Sequence, residues 1–256
     1  MEQSGEAKSL EVSTFSLVLL THSIRGKAFL MDIQNQIHDI QKRIQDSAAK
    51  VGRNPTDILL LAVTKTVSIE NIQKAYDTGL KDFGENRVQE ALEKIPLLPW
   101  DARWHLIGQL QTNKINKTLG RFVLIHSIDS IEQAQAVSNR QVDHTQDVLL
   151  EVNTAGEVSK SGVDPSQALS AAQTLSRLPH LKLKGLMTVG PLTEDLTKQR
   201  DAFKKLKELF EKIRTKKPSG DSFSILSMGM SGDFEMGIEE GSTLVRVGNA
   251  IFGARA

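Results

Sequence analysis

Ile58-Leu-Leu-Leu-Ala-Val63-Thr64-Lys65-Thr66 is the stretch on which the reading of the whole chain turns. Six successive apolar residues, with Asp57 before them and Thr64-Lys65 after, show no polar alternation. That pattern predicts a short strand buried on both faces, as in a parallel sheet covered by helices. Lys65 closes the strand where the chain leaves the core, at the mouth of whatever the strand helps to enclose. Taken alone, such a lysine is a snorkelling side chain with its stem on apolar surface and its ammonium in water. A functional reading needs support from the rest of the chain.

On the N-terminal side, Ile33, Ile37, Ile40, Ile44, Ala48 and Val51 recur at helical spacing, and Gly52 with Pro55 ends the helix. On the C-terminal side strand and helix patterns alternate. A helix from Ser68, a good N-cap, runs to Gly79. Strand Lys81–Glu85 is followed by a helix through Val88, Ala91, Leu92 and Ile95, and strand Arg103–Gly108 by a helix over Gln111–Leu119. Strand Phe122–Ser127 leads to a helix over Ser130–Val142, and strand Asp147–Val152 to a helix opened by Asp164-Pro165. Strand Leu183–Met187 precedes a long helix with Phe203, Leu206, Phe210 and Ile213 on one face; its charge run, Lys198 to Lys217, reads as a solvated face. Strand Phe223–Met228, a short helix over Asp233–Glu240 and strand Ser242–Val247 complete the pattern.

Eight strands alternating with helices, with no composition break, predict a parallel sheet closed into a single (β/α)8 TIM-type barrel. The helix from Met31 is an extra N-terminal one, expected to cover the barrel's N-terminal end. The domain reading is one barrel over 31–256. Residues 1–30 read as a poorly ordered extension. Phe15-Ser-Leu-Val-Leu-Leu20 is too short to span a bilayer, and Glu2, Glu6 and Glu11 argue against a secretory signal. Met31 is a candidate biological start.

Composition narrows the function classes. Of 256 residues, 39% are hydrophobic and 25% charged, a balance that suits a soluble globular protein. A net charge of +1 gives no support for nucleic-acid or membrane partners. With no cysteine there are no disulfides, thiolate nucleophiles or cysteine-ligated metals, which is compatible with a reducing cytoplasm. The six histidines are scattered without metal-ligand spacing, and His105 and His126 are read as structural.

In such barrels the active site lies at the C-terminal strand ends. Ser227-Met-Gly-Met-Ser231-Gly232-Asp233 is a Gly/Ser-rich turn between strand and helix, and Arg246-Val-Gly248-Asn249 is a second glycine turn directly after a strand. Loops after strands 7 and 8 are the usual phosphate position in this fold. A hydrolase nucleophile elbow at Gly229–Asp233 is rejected, because Asp233 stands where the last glycine belongs and no histidine serves it. A strand-end lysine, a phosphate cup and an arginine beside it suggest a ligand with an aldehyde, a phosphate and a ring, which pyridoxal 5′-phosphate satisfies.

From about Met31 onward the chain resembles the YggS/PROSC family of pyridoxal phosphate homeostasis proteins, single-domain barrels akin to the N-terminal domain of alanine racemase. The motifs are Ala62-Val-Thr-Lys65, Phe83-Gly-Glu-Asn86-Arg-Val-Gln-Glu90, Trp104-His-Leu-Ile-Gly-Gln-Leu-Gln-Thr-Asn-Lys114, His126-Ser-Ile-Asp-Ser130, Ser159-Lys-Ser-Gly162, Gly185-Leu-Met-Thr188, Leu226-Ser-Met-Gly-Met-Ser231 and Gly241-Ser-Thr-Leu-Val-Arg-Val-Gly248. The resemblance implies that Lys65 carries the cofactor as a Schiff base, that Ser231 with the backbone at Gly248 and Asn249 holds the phosphate, and that Arg246 faces the pyridine nitrogen. Asn86 and Met228 are further pocket candidates. It also implies a monomeric, cytoplasmic, non-catalytic protein acting in vitamin B6 and amino/keto-acid balance. Partners on that reading are pyridoxal phosphate and pyridoxal phosphate-dependent apo-enzymes or a regulatory protein, with the loop Thr154–Gly162 and its Lys160 as a candidate contact surface. The alternative is a minimal amino-acid racemase. It lacks an evident opposite-face base, since the one tyrosine, Tyr76, falls in an outer helix and the sequence stops soon after the eighth strand.

Overall fold

The computed structural model describes residues 33–141, 144–157, 160–216 and 222–253. The extension read over residues 1–30 lies outside the described residues, as does the expected helix start at Met31. Eight parallel strands close into a barrel: β1 Leu59–Val63, β2 Asp82–Glu85, β3 Arg103–Leu106, β4 Leu124–Ile128, β5 Gln146–Glu151, β6 Leu181–Met187, β7 Ile225–Met230 and β8 Leu244–Val247. Closure comes from β8 pairing with β1, where Leu61 stands opposite Arg246.

The unbroken apolar run of β1 follows from two cores. Leu61 joins Leu124, Leu149, Met187 and Leu244 inside the barrel. Leu60 and Ala62, one residue to either side, join the larger core between the strands and the surrounding helices. Successive side chains point to opposite faces, so a strand covered on both sides must be apolar at every position.

The outer ring is built from helix 33–50 (α1), α2 Ile69–Asp77, α3 Val88–Lys94, α4 Ile115–Thr118, α5 Ile131–Ser138, α6 Ala168–Leu175, α7 Leu196–Arg214, α8 Phe234–Glu239 and α9 Asn249–Phe252. α1 runs down the barrel's flank beside α8, and its Gln41, Ile44 and Gln45 also reach the N-terminal strand ends, in a depression shared with Leu59 and Asp82. Arg43 pairs with Glu235 at 2.7 Å near the start of α8, and Arg53 donates to the Ile238 carbonyl at 2.8 Å near its end. The physical reason is coverage. With four residues α9 is too short to shield the outer faces of β8 and β1, and the Ile33, Ile37, Ile40, Ile44 and Ala48 stripe is buried in its stead. Val51, counted into that stripe, lies past the helix and is exposed.

Other boundaries shift locally. Asp164-Pro165 forms a turn ahead of α6, and the segment expected as one helix over 111–119 is a 3-10 turn at Thr112–Lys114 followed by α4. Ser68 occupies the N-cap position of α2 but its hydroxyl makes no cap bond. Ser130 does cap α5, accepting from Gln133 N–H, and Asp195 caps α7, accepting from Thr197 and Lys198 N–H. Phe203, Leu206, Phe210 and Ile213 are buried along one face of α7, as their spacing predicts.

Candidate cofactor site at the barrel mouth

At the C-terminal ends of β1, β2, β7 and β8 lies a cavity of about 370 Å³ whose wall includes Lys65, Asn86, Ser231, Arg246, Gly248 and Asn249. That volume falls in the range of small-molecule sites. Two larger depressions, of about 560 and 500 Å³, open at the N-terminal strand ends, around Trp104 and Gln146 and around Leu59 and Asp82. Their size counts for less than their place, because in this fold chemistry gathers at the opposite end.

Lys65 is half-buried and follows Thr64, which is fully buried and locked to β2. The Thr64 N–H donates to the Gly84 carbonyl at 2.9 Å and its hydroxyl to Glu85 Oε1 at 2.6 Å. Thr66, on the other side, sits at φ 58°, a left-handed conformation that costs a non-glycine residue roughly 1–2 kcal/mol. Its N–H is held by Glu90 Oε1 at 2.5 Å.

Ser231 follows a bulge. Registration between β7 and β8 slips between Ser227 and Met230, at Gly229, whose φ is 92° and where a Cβ would stand 2.9 Å from Phe234 Cα. The turn is closed by Asp233, which accepts from Met230 N–H at 2.6 Å. Ser231 Oγ in turn accepts from Gly248 N–H at 3.2 Å and Ala250 N–H at 3.5 Å. The N–H groups opening α9 therefore converge on one acceptor position, filled here by the Ser231 hydroxyl oxygen, and a phosphate oxygen suits the same donors.

Arg246 is buried, with Nη1 donating to Ser227 Oγ at 2.6 Å and Nη2 to the Thr188 carbonyl at 2.9 Å. Burial pulls its pKa down to about 10 against the opposing pull of Glu151 and Asp233, so it remains a cation at neutral pH. Glu151, at the end of β5, is pushed up to about 7 by burial and by Asp129, with Arg246 pulling the other way. Sequence reasoning missed Glu151. A carboxylate ending an apolar strand was its one signal.

Met228 does not line the cavity. It is fully buried in the layer between strands and helices, and Met230 faces the mouth in its place. The bulge at Gly229 changes the phase of alternation, which residue types alone do not reveal. Ile107, Val189 and Gly232 are lining residues the sequence reading did not single out. Lys160 donates to the Gly190 carbonyl at 2.8 Å and pairs with Glu157 at 2.9 Å, tying two mouth loops together. Tyr76 lies on α2 in the outer ring, its hydroxyl donating to Asp101. Among the described residues no group of three or more His, Cys, Asp or Glu is placed to hold a metal. Nor, among them, is any helix long and apolar enough to cross a membrane.

A parallel eight-stranded barrel with this mouth defines a class, and the chain matches the family described as alanine racemase, N-terminal domain, over residues 37–256. The pyridoxal phosphate homeostasis protein of Aquifex aeolicus is 41% identical over 228 residues, covering 88% of this chain and 99% of that protein. The crystal structure of an unknown protein from Bifidobacterium adolescentis superposes with a TM-score of 0.85 at 41% identity, covering 88% of this chain and 96% of the other. PipY of Synechococcus elongatus PCC7942, solved with PLP bound, superposes with a TM-score of 0.71 at 32% identity, covering 82% of this chain and 100% of PipY. The chain therefore belongs to the alanine racemase N-terminal domain family and, within it, to the pyridoxal phosphate homeostasis proteins.

Proposed function

We propose that this protein binds pyridoxal 5′-phosphate covalently and reversibly on Lys65, and that it buffers or delivers the cofactor in the cytoplasm as a monomer without catalysing a reaction. The observation that carries the reading is the single cavity into which Lys65, Arg246 and the Ser231–Gly248–Asn249 cradle all open. The residues fit the group: a primary amine for its aldehyde, converging hydroxyl and backbone donors for its phosphate, and a buried donor-only cation for its ring nitrogen. When bound, the cofactor supplies an aldehyde that condenses reversibly with an amine. Ser231 and the N–H groups of Gly248 and Asn249 orient the phosphate. Arg246, a cation that can only donate, favours an unprotonated ring nitrogen and so a weak electron sink. Asn86 completes the wall.

Racemisation would call for a second acid–base group facing Lys65 across the cofactor, and Tyr76 is committed to Asp101 outside the barrel. Recipient apo-enzymes or a regulatory protein would approach the mouth, where the Lys160 loop lies. Borohydride reduction of the loaded protein followed by peptide mass analysis tests the reading. The label is expected on Lys65 and is absent from Lys65→Ala; a label elsewhere sinks the assignment. Solvent-deuterium exchange at Cα of amino acids above the level of free cofactor would overturn the non-catalytic half.

A further inference from the structure

A continuous line of hydrogen bonds crosses the barrel interior, from the start of β2 to the cavity wall. At its lower end Arg103 Nε donates to Asp82 Oδ1 at 2.8 Å, and His105 Nε2 lies 3.0 Å from the same oxygen. His105 Nδ1 stands 3.1 Å from His126 Nε2, the two rings edge to face. His126 Nδ1 is 3.3 Å from Ser227 Oγ, and that oxygen accepts from Arg246 Nη1. Asp82, His105, His126, Ser227 and Arg246 are all buried.

Both ends impose the same direction on the protons. Asp82, a carboxylate held below its ordinary pKa by Arg103 and His105 despite burial, can only accept, so His105 carries its proton on Nε2. Its Nδ1 is then bare and takes the Nε2–H of His126, which leaves His126 Nδ1 bare as well. At the other end Arg246 can only donate, so Ser227 receives that bond and turns its own proton to His126 Nδ1. Burial, with His105 and Arg246 nearby, holds His126 well below its ordinary pKa, consistent with a neutral ring.

We propose that His126 is a positioning residue for Arg246, acting through Ser227, and that His105 and Asp82 fix it in the one tautomer that permits this. With the opposite tautomer an N–H would face Ser227 Oγ and the serine proton would lose its acceptor. Arg246 would then lose the fixed partner that, with the Thr188 carbonyl, sets the plane of its guanidinium. The consequence for binding rests on the cofactor reading above. The tautomers belong to the protein alone.

Long-range proton–nitrogen NMR of the histidines in cofactor-free protein is the direct test. Both rings are expected to carry a proton on Nε2, and His126 is expected to stay neutral without titrating between about pH 5 and 8. A Nδ1–H tautomer at either residue, or titration of His126 in that window, overturns the proposal. In Ser227→Ala, pyridoxal phosphate affinity is expected to fall about tenfold or more, the scale of a lost charge-assisted bond. Lys65 should still be labelled by borohydride, and Ser227→Thr, which keeps the hydroxyl, should restore affinity. Unchanged affinity in Ser227→Ala refutes positioning. A wild-type protein left unlabelled at Lys65 would instead refute the cofactor reading and leave the NMR result standing.

Discussion

The Lys94 ammonium donates to the Thr64 carbonyl oxygen at 2.7 Å, one residue ahead of Lys65. The same ammonium reaches Glu85 Oε1 at 2.9 Å and Glu90 Oε1 at 2.6 Å, and Glu90 holds the N–H of Thr66. One cation on α3 thus fixes the backbone on both sides of the lysine that follows β1. The aim of Lys65 into the cavity depends on it.

Replacing that cation exposes the cost of its partner's burial. Glu85 is fully buried and burial raises its pKa, against the hydrogen bonds from Thr64 and Lys94; its Oε2 has no partner among the described residues. Lys94→Met should therefore destabilise the fold by about 3 kcal/mol, the scale of an orphaned buried charge. Urea unfolding would show a lower midpoint, and pyridoxal phosphate should be retained more weakly. An unshifted midpoint would mean that the network is not structural.

Gly185 tests the closure of the sheet. A Cβ at this position would stand 1.7 Å from the Ile225 carbonyl oxygen, where β6 meets β7. Backbone cannot yield by that much without losing the ladder, so Gly185→Ala should cost at least about 3 kcal/mol and leave little folded protein. Circular dichroism of that variant settles the point.

Glu151 makes stability depend on pH with a definite sign. Its pKa is raised in the folded state, from 4.5 to about 7, so the folded chain holds a proton that the unfolded chain releases. The stability this proton carries is complete below about pH 4.5 and is lost as pH rises through 7, up to roughly 3 kcal/mol. Glu151→Gln should flatten that descent, with part of the gain offset by the lost attraction to Arg246. Thermal midpoints of the two proteins should diverge between pH 5 and 8, on the order of a few degrees.

His126 acts at the acidic side with the opposite sign. Its pKa is depressed in the folded state, so below about pH 6.5 the unfolded chain takes up a proton that the folded chain refuses. Stability falls with pH there, by up to about 1.4 kcal/mol per unit from this residue. His126→Gln costs stability at neutral pH, and its deficit relative to wild type should narrow as pH falls from 7 to 5. A constant deficit would contradict a neutral buried ring.

Much of the architecture was readable from local pattern. The eight strands and the stripe of α7 followed from apolar spacing, and the loops after β7 and β8 from their glycines and serines. Local pattern does not carry relations between strands. The bulge at Gly229 exchanged Met228 for Met230 at the mouth, and the brevity of α9 drew α1 onto the flank. His105 and His126 read as unconnected histidines because adjacent strands β3 and β4 place them side by side only after the barrel has closed.

Lys65 shows where the division falls. Its residue type, its place at the end of an apolar strand and its company of motifs are properties of the chain, set by side-chain chemistry and by the period of alternation. Its meeting with Ser231, Arg246 and Gly248 in one cavity, and the grip of Lys94 on the residues beside it, exist because β8 pairs with β1 and closes the ring. Groups nearly two hundred residues apart come within reach of one ligand only through that long-range pairing, and no local propensity encodes it.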